Sequence, residues 1–407
     1  MRSRAVIRLP SDQDATGRSL GAEELARLRA VLDSGVLTAT KGVQTPELEA
    51  RAAVLTGRSS VIACSSGTAA IHTAIAAVDP EPGDEIVTTA ITDIGALTPI
   101  LYQGAIPVFA DVDPTTGMAT ADTVAAAMSE RTRAVVVTHL FGMPAPVDAI
   151  AAELERTGLP LIEDCAQAFL TRRAGRLVGT FGAVACFSTQ QGKHVTSGEG
   201  GLVATDDHAL ARRARLFVNK AWPYGEPSPD HEFLALNYRT TELQSAVANA
   251  QLDKLAAGVD RRRVTAARFV AAIADVPGVS LPELASDDVA TWWKVPLIVD
   301  PGAVPGGPRA VAAVLAEHGV ASAPRYIQKP AFECAVIRDQ RTFGSSRWPF
   351  SLAQPDAVDY HPDKFRGTYG YLERVLVLPW NERYDEGHAD ALAELLHDAV
   401  SELMGAP

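Results

Sequence analysis

Between residues 60 and 205, short apolar runs alternate with stretches of helical spacing, and this alternation narrows the possible folds more than any other feature. Strands are predicted at 60–64, 84–88, 106–110, 133–138, 159–163, 182–187 and 201–204. Helices at 67–78, 94–103, 119–129 and 145–157 separate most of them. Repeated strand-then-helix units imply strands that run parallel and are covered on both faces. The expected fold class is α/β, with a seven-stranded, mostly parallel sheet. Two helices precede it, at 21–34 and 45–56. The second is read as opening with Thr45 as its cap and Pro46 at the first helical position.

The pattern changes after residue 240. A long helix is predicted from about 240 to 274, followed by a strand at 290–299, a helix at 307–318, strands at 320–326 and 374–378, and a helix at 385–403. This reads as a large domain over residues 1–250 and a smaller C-terminal α+β domain over 251–407, a division that 407 residues readily support. The segment 330–370 is rich in Pro, Phe, Tyr and Asp and has no period. A loop of that length in a compact domain is usually functional or disordered.

A formal charge of −12 argues against a nucleic-acid partner and against a polybasic membrane surface. The four cysteines show no CxxC or metal-ligand spacing and read as buried apolar residues in a reducing compartment. No metal site is expected. Residues 1–10 lack the apolar core of a signal peptide, and no apolar run reaches the ~18 residues of a membrane span. A cytoplasmic protein is expected.

Two residues carry chemistry. Lys193 lies in a polar, glycine-containing run between the strands at 182–187 and 201–204. An amine held between buried strands has a lowered pKa, and in its neutral form it condenses with an aldehyde. Asp164 follows the strand predicted at 159–163, whose residues Leu159 to Ile162 are apolar. In a parallel sheet the carboxyl ends of strands line the ligand crevice. A lysine for a Schiff base and an aspartate for a pyridinium nitrogen are the protein groups that pyridoxal 5'-phosphate needs. Gly67 and Thr68 stand at a strand-to-helix turn suited to phosphate, although Ser66 or Thr68 capping an ordinary helix reads equally from the same residues. Ser188, five residues before Lys193, has a hydroxyl for the same phosphate, or for its own backbone. Gln167 is placed to bond Asp164 or to lie against a bound ring.

Taken together, six blocks resemble the DegT/StrS family of sugar and cyclitol aminotransferases, which are fold-type-I pyridoxal phosphate enzymes. The blocks are Ser66-Gly67-Thr68-Ala69-Ala70, Pro107 to Asp113, His139-Leu140-Phe141-Gly142, Glu163 to Ala168, the Ser188…Lys193…Gly201 run, and Asn237 to Gln244. The resemblance implies that Lys193 is the catalytic lysine, that Asp164 meets the pyridine nitrogen and that Gln167 lies near the ring. It implies that Gly67, Thr68 and Ser188 hold the phosphate. It also implies that Asn237 reaches the phosphate of a second subunit, making a homodimer with shared sites. The expected activity is transfer of an amino group from L-glutamate or L-glutamine to a ketone on a cyclitol or keto-sugar, in a biosynthetic, natural-product setting. Gln190-Gln191-Gly192-Lys193 resembles the cyclitol-acting branch more than the nucleotide-sugar branch.

One departure stands out. Relatives carry a ring-stacking aromatic near the place of Asp93, yet no aromatic occurs from 87 to 101. Ile91 or Ile94 is the expected cover for the ring, with Asp93 facing substrate or capping a helix. Arg325 is a candidate contact for a donor carboxylate. Two other readings remain open: a non-transaminating pyridoxal phosphate enzyme (dehydratase, decarboxylase or oxidase), and a non-catalytic, cofactor-binding regulatory protein.

Overall fold

The computed structural model describes residues 6–405. The first five residues of the stretch read for a targeting signal lie outside this range. Helices α1 (Ala22–Ser34) and α2 (Gln44–Thr56) come first. Then follow β1 (Ser60–Cys64), α3 (Gly67–Val78), β2 (Glu85–Thr89), α4 (Thr98–Tyr102), β3 (Ile106–Ala110), α5 (Ala121–Ala127), β4 (Thr132–Thr138), α6 (Val147–Glu155) and β5 (Leu161–Asp164). A short hairpin, β6 (Arg172–Arg173) and β7 (Arg176–Leu177), leads to β8 (Val184–Ser188), β9 (Gly201–Thr205) and α7 (His208–Val218).

The large sheet has seven strands in the order β1-β9-β8-β5-β4-β2-β3. β9 is antiparallel to both neighbours, and the pairings from β8 through to β3 are parallel. Alternation along the strands sorts side chains to two covered faces. Ile62, Val136, Ile162, Cys186 and Val203 pack with α3 and α7 on one side. On the other, Val135, Val137 and Leu161 meet α5 and α6, and Ala63, Phe187 and Leu202 meet α2 and α8 (Glu242–Ala272).

The remaining elements are β10 (Val279–Ser280), β11 (Lys294–Val299), α9 (Gly307–Glu317), β12 (Ala323–Pro324), α10 (Ala335–Arg338), α11 (Arg366–Arg374), β13 (Val375–Pro379) and α12 (Glu386–Leu403). They form an antiparallel sheet, β10-β11-β13-β12, packed on α9 and α12. α8 serves both cores: Leu255 and Val259 face the large sheet, Ala266 and Phe269 the small one.

Several expected boundaries move. α2 begins at Gln44, not at a Thr45 cap, because the Glu242 carboxylate of α8 accepts the N–H groups of Gln44 (2.7 Å) and Thr45 (2.9 Å) and the Thr45 hydroxyl (2.7 Å). The helix at 94–103 breaks into a 3-10 turn (Ile94–Ala96) and α4. The strand at 320–326 shrinks to Ala323–Pro324 because Arg325 (φ 64°) and Tyr326 (φ 50°) turn left-handed. β11 starts only at Lys294, after the left-handed Trp292 (φ 48°).

Glu163 anchors the end of β5. Its carboxylate accepts the N–H groups of Gly179 (2.7 Å), Phe181 (2.8 Å) and Gly182 (2.7 Å), and His139 Nε2 lies 3.2 Å away. His139, Glu163 and Cys165 bring possible ligand atoms within 4.8 Å of one another, but this carboxylate is already engaged. Burial alone would raise the Glu163 pKa. The bonds from His139 and from the Gly182 and Gly179 amides outweigh it and hold the group below 4.5. A carboxyl depressed in the folded state contributes stability above its unfolded pKa and loses it as pH falls through the folded one. Glu163→Gln is therefore expected to cost on the order of 3 kcal/mol at pH 7. The deficit should narrow as pH falls below 4.5, as thermal melts of both proteins across pH would show.

Candidate active site

Three strand ends meet at one edge of the large sheet. Because β9 runs against its neighbours, its first residue, Gly201, pairs with the last residues of both β1 (Cys64) and β8 (Ser188). α3 starts from the same place. Ser66 caps it, its Oγ accepting the Ala69 N–H at 3.0 Å. The N–H groups of Gly67 and Thr68, in the first turn, have no intrahelical acceptor and carry the positive end of the helix dipole. Ser188 packs directly against this turn. A Cβ on Gly67 would lie 2.8 Å from Ser188 Cβ, so only glycine fits. Ser188 Oγ also accepts the Gln190 N–H at 3.3 Å.

Asp164 closes β5 in the same crevice and is 4% exposed. Its Oδ1 accepts the Ala166 N–H (3.0 Å), and Thr138 Oγ1 donates to Oδ2 (3.4 Å). Burial raises its pKa, against the opposing pull of the Ala166 amide, Lys193, His139 and Thr138. Gln167 does not bond Asp164. Its Oε1 accepts the N–H of Phe141 (2.7 Å), a residue in left-handed conformation (φ 60°), and its Nε2 donates to the Tyr326 hydroxyl (3.2 Å).

Lys193 lies in the 189–200 loop, which is cross-braced by Thr189 N–H to Gly200 O (2.8 Å) and Gln191 N–H to Gly198 O (2.8 Å). Its amine is half-buried and sits 4.2 Å from the centre of the Trp293 ring. Trp293 Nε1 in turn donates to Gly192 O at 2.6 Å. Arg18 Nη1 donates to the Lys193 carbonyl at 3.0 Å, and Gln191 Nε2 to Asp12 O at 2.9 Å, which binds the amino-terminal segment to this loop. Desolvation lowers the Lys193 amine to about 8. Asp164, Asp93 and Asp12 pull it up, and Lys294 pushes it down.

Two aromatic side chains, Trp293 and Tyr326, complete the site. Both rings reach the crevice from beside strands of the small sheet: Trp293, just before β11, meets Lys193, and Tyr326, just after β12, meets Gln167 and stands edge-on to Phe141 at 4.7 Å. Burial pushes the Tyr326 hydroxyl up to about 12. The signals available were a tryptophan pair running into a lysine at a strand start, and Arg-Tyr immediately after a proline. Asp93 is exposed and caps the 3-10 turn through the Gly95 N–H (2.7 Å), and Gly95 abuts Thr68. Ile91 is 0% exposed within the core, so it does not cover a ligand; Ile94 is 40% exposed. Arg325 donates Nε to Gln328 O at 2.8 Å. Asn237 is exposed and bridges to Asn219, on a segment whose Leu234 is 94% exposed; the next residue, Tyr238, accepts the Ser65 N–H at 2.8 Å through its carbonyl.

The donor set fits pyridoxal 5'-phosphate. A glycine-walled helix start beside a serine suits a phosphate, a buried carboxylate suits a pyridine nitrogen, and a half-buried amine of lowered pKa suits an aldehyde.

Comparison with known proteins agrees. Residues 18–394 match the DegT/DnrJ/EryC1/StrS aminotransferase family. The chain is similar to the aminotransferase TlmJ from Streptoalloteichus hindustanus (28% identity, 95% of this chain and 98% of that one, TM-score 0.82). It is also similar to DesI, solved in the presence of its TDP-sugar product (27% identity, 99% and 96%, TM-score 0.85). A third similar structure is the sugar aminotransferase CalS13 from Micromonospora echinospora (26% identity, 93% and 98%, TM-score 0.81). Among the described residues no helix is long and apolar enough to cross a membrane. By the family match over residues 18–394, the chain belongs to the DegT/DnrJ/EryC1/StrS aminotransferase family and is a pyridoxal phosphate-dependent aminotransferase.

Proposed function

We propose that the chain moves an amino group from L-glutamate or L-glutamine to a ketone on a keto-sugar or cyclitol in a biosynthetic pathway. We place it in the cytoplasm as a homodimer whose two sites are shared. The observation that carries this reading is the Lys193 amine, lowered to about 8 by burial and acted on by the Asp164 charge. When bound, pyridoxal phosphate supplies an aldehyde that takes up the amino group and an electron-poor ring that accepts the electron pair released at the donor α-carbon.

The chain's residues would do the rest. Lys193 Nζ, neutral for much of the time near pH 8, takes the proton from the donor α-carbon and later returns one, as a base with a pKa near working pH should. Asp164 keeps a proton on the pyridine nitrogen. The N–H groups of Gly67 and Thr68 and the Ser188 hydroxyl hold the phosphate. Gln167, fixed between Phe141 and Tyr326, lies beside the ring. Asn237 is assigned to the phosphate in the partner subunit. Exposed Leu234 and Leu236 on the same segment favour a covering subunit. We assign residues 1–250 to the cofactor-binding unit and 251–407 to the small unit, α8 continuing across the join.

The sugar aminotransferase CalS13 and the TDP-sugar product of DesI favour a keto-sugar. The Gln190-Gln191 stretch favours a cyclitol. Adding L-glutamate or L-glutamine to the holoenzyme is expected to convert its absorbance from the aldehyde-derived to the amine form of the cofactor. A keto-cyclitol, free keto-sugar or nucleotide-linked keto-sugar should then reverse the change, and whichever does so identifies the acceptor class. An absorbance that responds to no amino acid would refute the proposal.

A further inference from the structure

Lys294 is the one lysine beside Lys193 that the mechanism does not use. It opens β11, and its amine sits 4.7 Å from the centre of the Trp293 ring, the same ring that Lys193 meets at 4.2 Å. The two amines are therefore no farther apart than the sum of those distances. Trp293 is pinned to Gly192 O, and Arg262, itself 1% exposed, donates to the Trp293 carbonyl at 3.3 Å, so the ring and its neighbour are held in place. Lys294 is half-buried, yet among the described residues no hydrogen-bond acceptor or carboxylate lies within bonding distance of its amine. Asp12 pulls on this amine only through space and Arg262 opposes it, so burial leaves the charge poorly compensated, and such groups gather where a ligand supplies the missing charge.

We propose that Lys294 binds the carboxylate of the amino donor. The assignment rests on the amino-acid donor of the preceding reading. Three bonds from an amino nitrogen to a carboxylate oxygen span about 3 Å, and a charge-assisted N–H···O contact adds about 2.8 Å. A donor whose reacting atoms lie about 3–3.5 Å from Lys193 can thus reach Lys294. The phosphate cradle of Gly67, Thr68 and Ser188 is a separate set of residues, so Lys294 is not needed there. Arg325, the alternative anchor, already gives its Nε to Gln328 O.

Lys294→Met is expected to raise the L-glutamate concentration for half-maximal cofactor conversion about 10- to 100-fold, with the acceptor KM unchanged. Lys294→Arg should recover most of the loss. Glutarate, which has no amine to react, should bind the wild-type holoenzyme in a calorimetric titration and bind Lys294→Met far more weakly. Equal glutarate binding by both proteins would overturn the assignment, as would a KM change confined to the acceptor, or the same donor defect in Arg325→Met with none in Lys294→Met. If glutarate binding depended on Lys294 but glutamate left the cofactor unchanged, transamination from glutamate would fall and the carboxylate site would stand.

Discussion

Lys193→Ala is expected to lose transamination by at least about 10⁴-fold, the upper range for removing a general base, while the protein stays folded. Borohydride treatment of the wild-type holoenzyme should leave a reduced cofactor adduct on Lys193, and the variant should carry none. The amine is neutral above about 8, so uptake of pyridoxal phosphate by cofactor-free protein should quicken as pH rises to that value and level off beyond it. Lys294 and Trp293 flank the same amine, so their replacement would move that midpoint without abolishing uptake. An alanine variant with appreciable turnover would remove Lys193 from its catalytic role.

Asp164→Asn should lower kcat by about 10²–10³-fold, as loss of one preorganised electrostatic partner does. The asparagine keeps an oxygen for the Ala166 amide and remains beside Thr138, so bound cofactor should persist. A stability measurement separates this from simple damage. The Asp164 carboxyl is raised above 3.8 in the folded protein by burial. Such a group stabilises the fold below its unfolded pKa and ceases to as pH rises through the folded one. Removing the charge should therefore make the cofactor-free protein melt higher at pH 7 while the enzyme turns over more slowly. A variant that melts lower and retains full kcat would contradict the assignment.

The seven strands were legible because each is an apolar run with a covered face on both sides, and Asp164 and Lys193 were displayed at the end of one and in the loop between two others. What escaped was determined by residues distant in sequence. The first turn of α2 is fixed by Glu242 of α8, which no local signal at Thr45 discloses. Helix α7 is not among the expected elements, although Leu210, Ala214, Phe217 and Val218 recur along it at helical spacing. The segment 330–370 has no period because it is built of 3-10 turns and short helices tied to distant groups, such as the Gly367 and Thr368 amides bound to Asp111 (2.8 and 2.7 Å). The contact of Trp293 with Lys193 is not legible in the sequence, because the left-handed Trp292 that precedes it cannot be read from residue type.

The reversed direction of β9 gives the lysine a fixed post. Both ends of the 189–200 stretch are fastened to adjacent strands at the Ser188–Gly201 rung. Its backbone therefore has little travel, and the working radius of Nζ is that of a four-carbon arm swinging from a stationary pivot. Proton delivery between neighbouring atoms asks for no more than that.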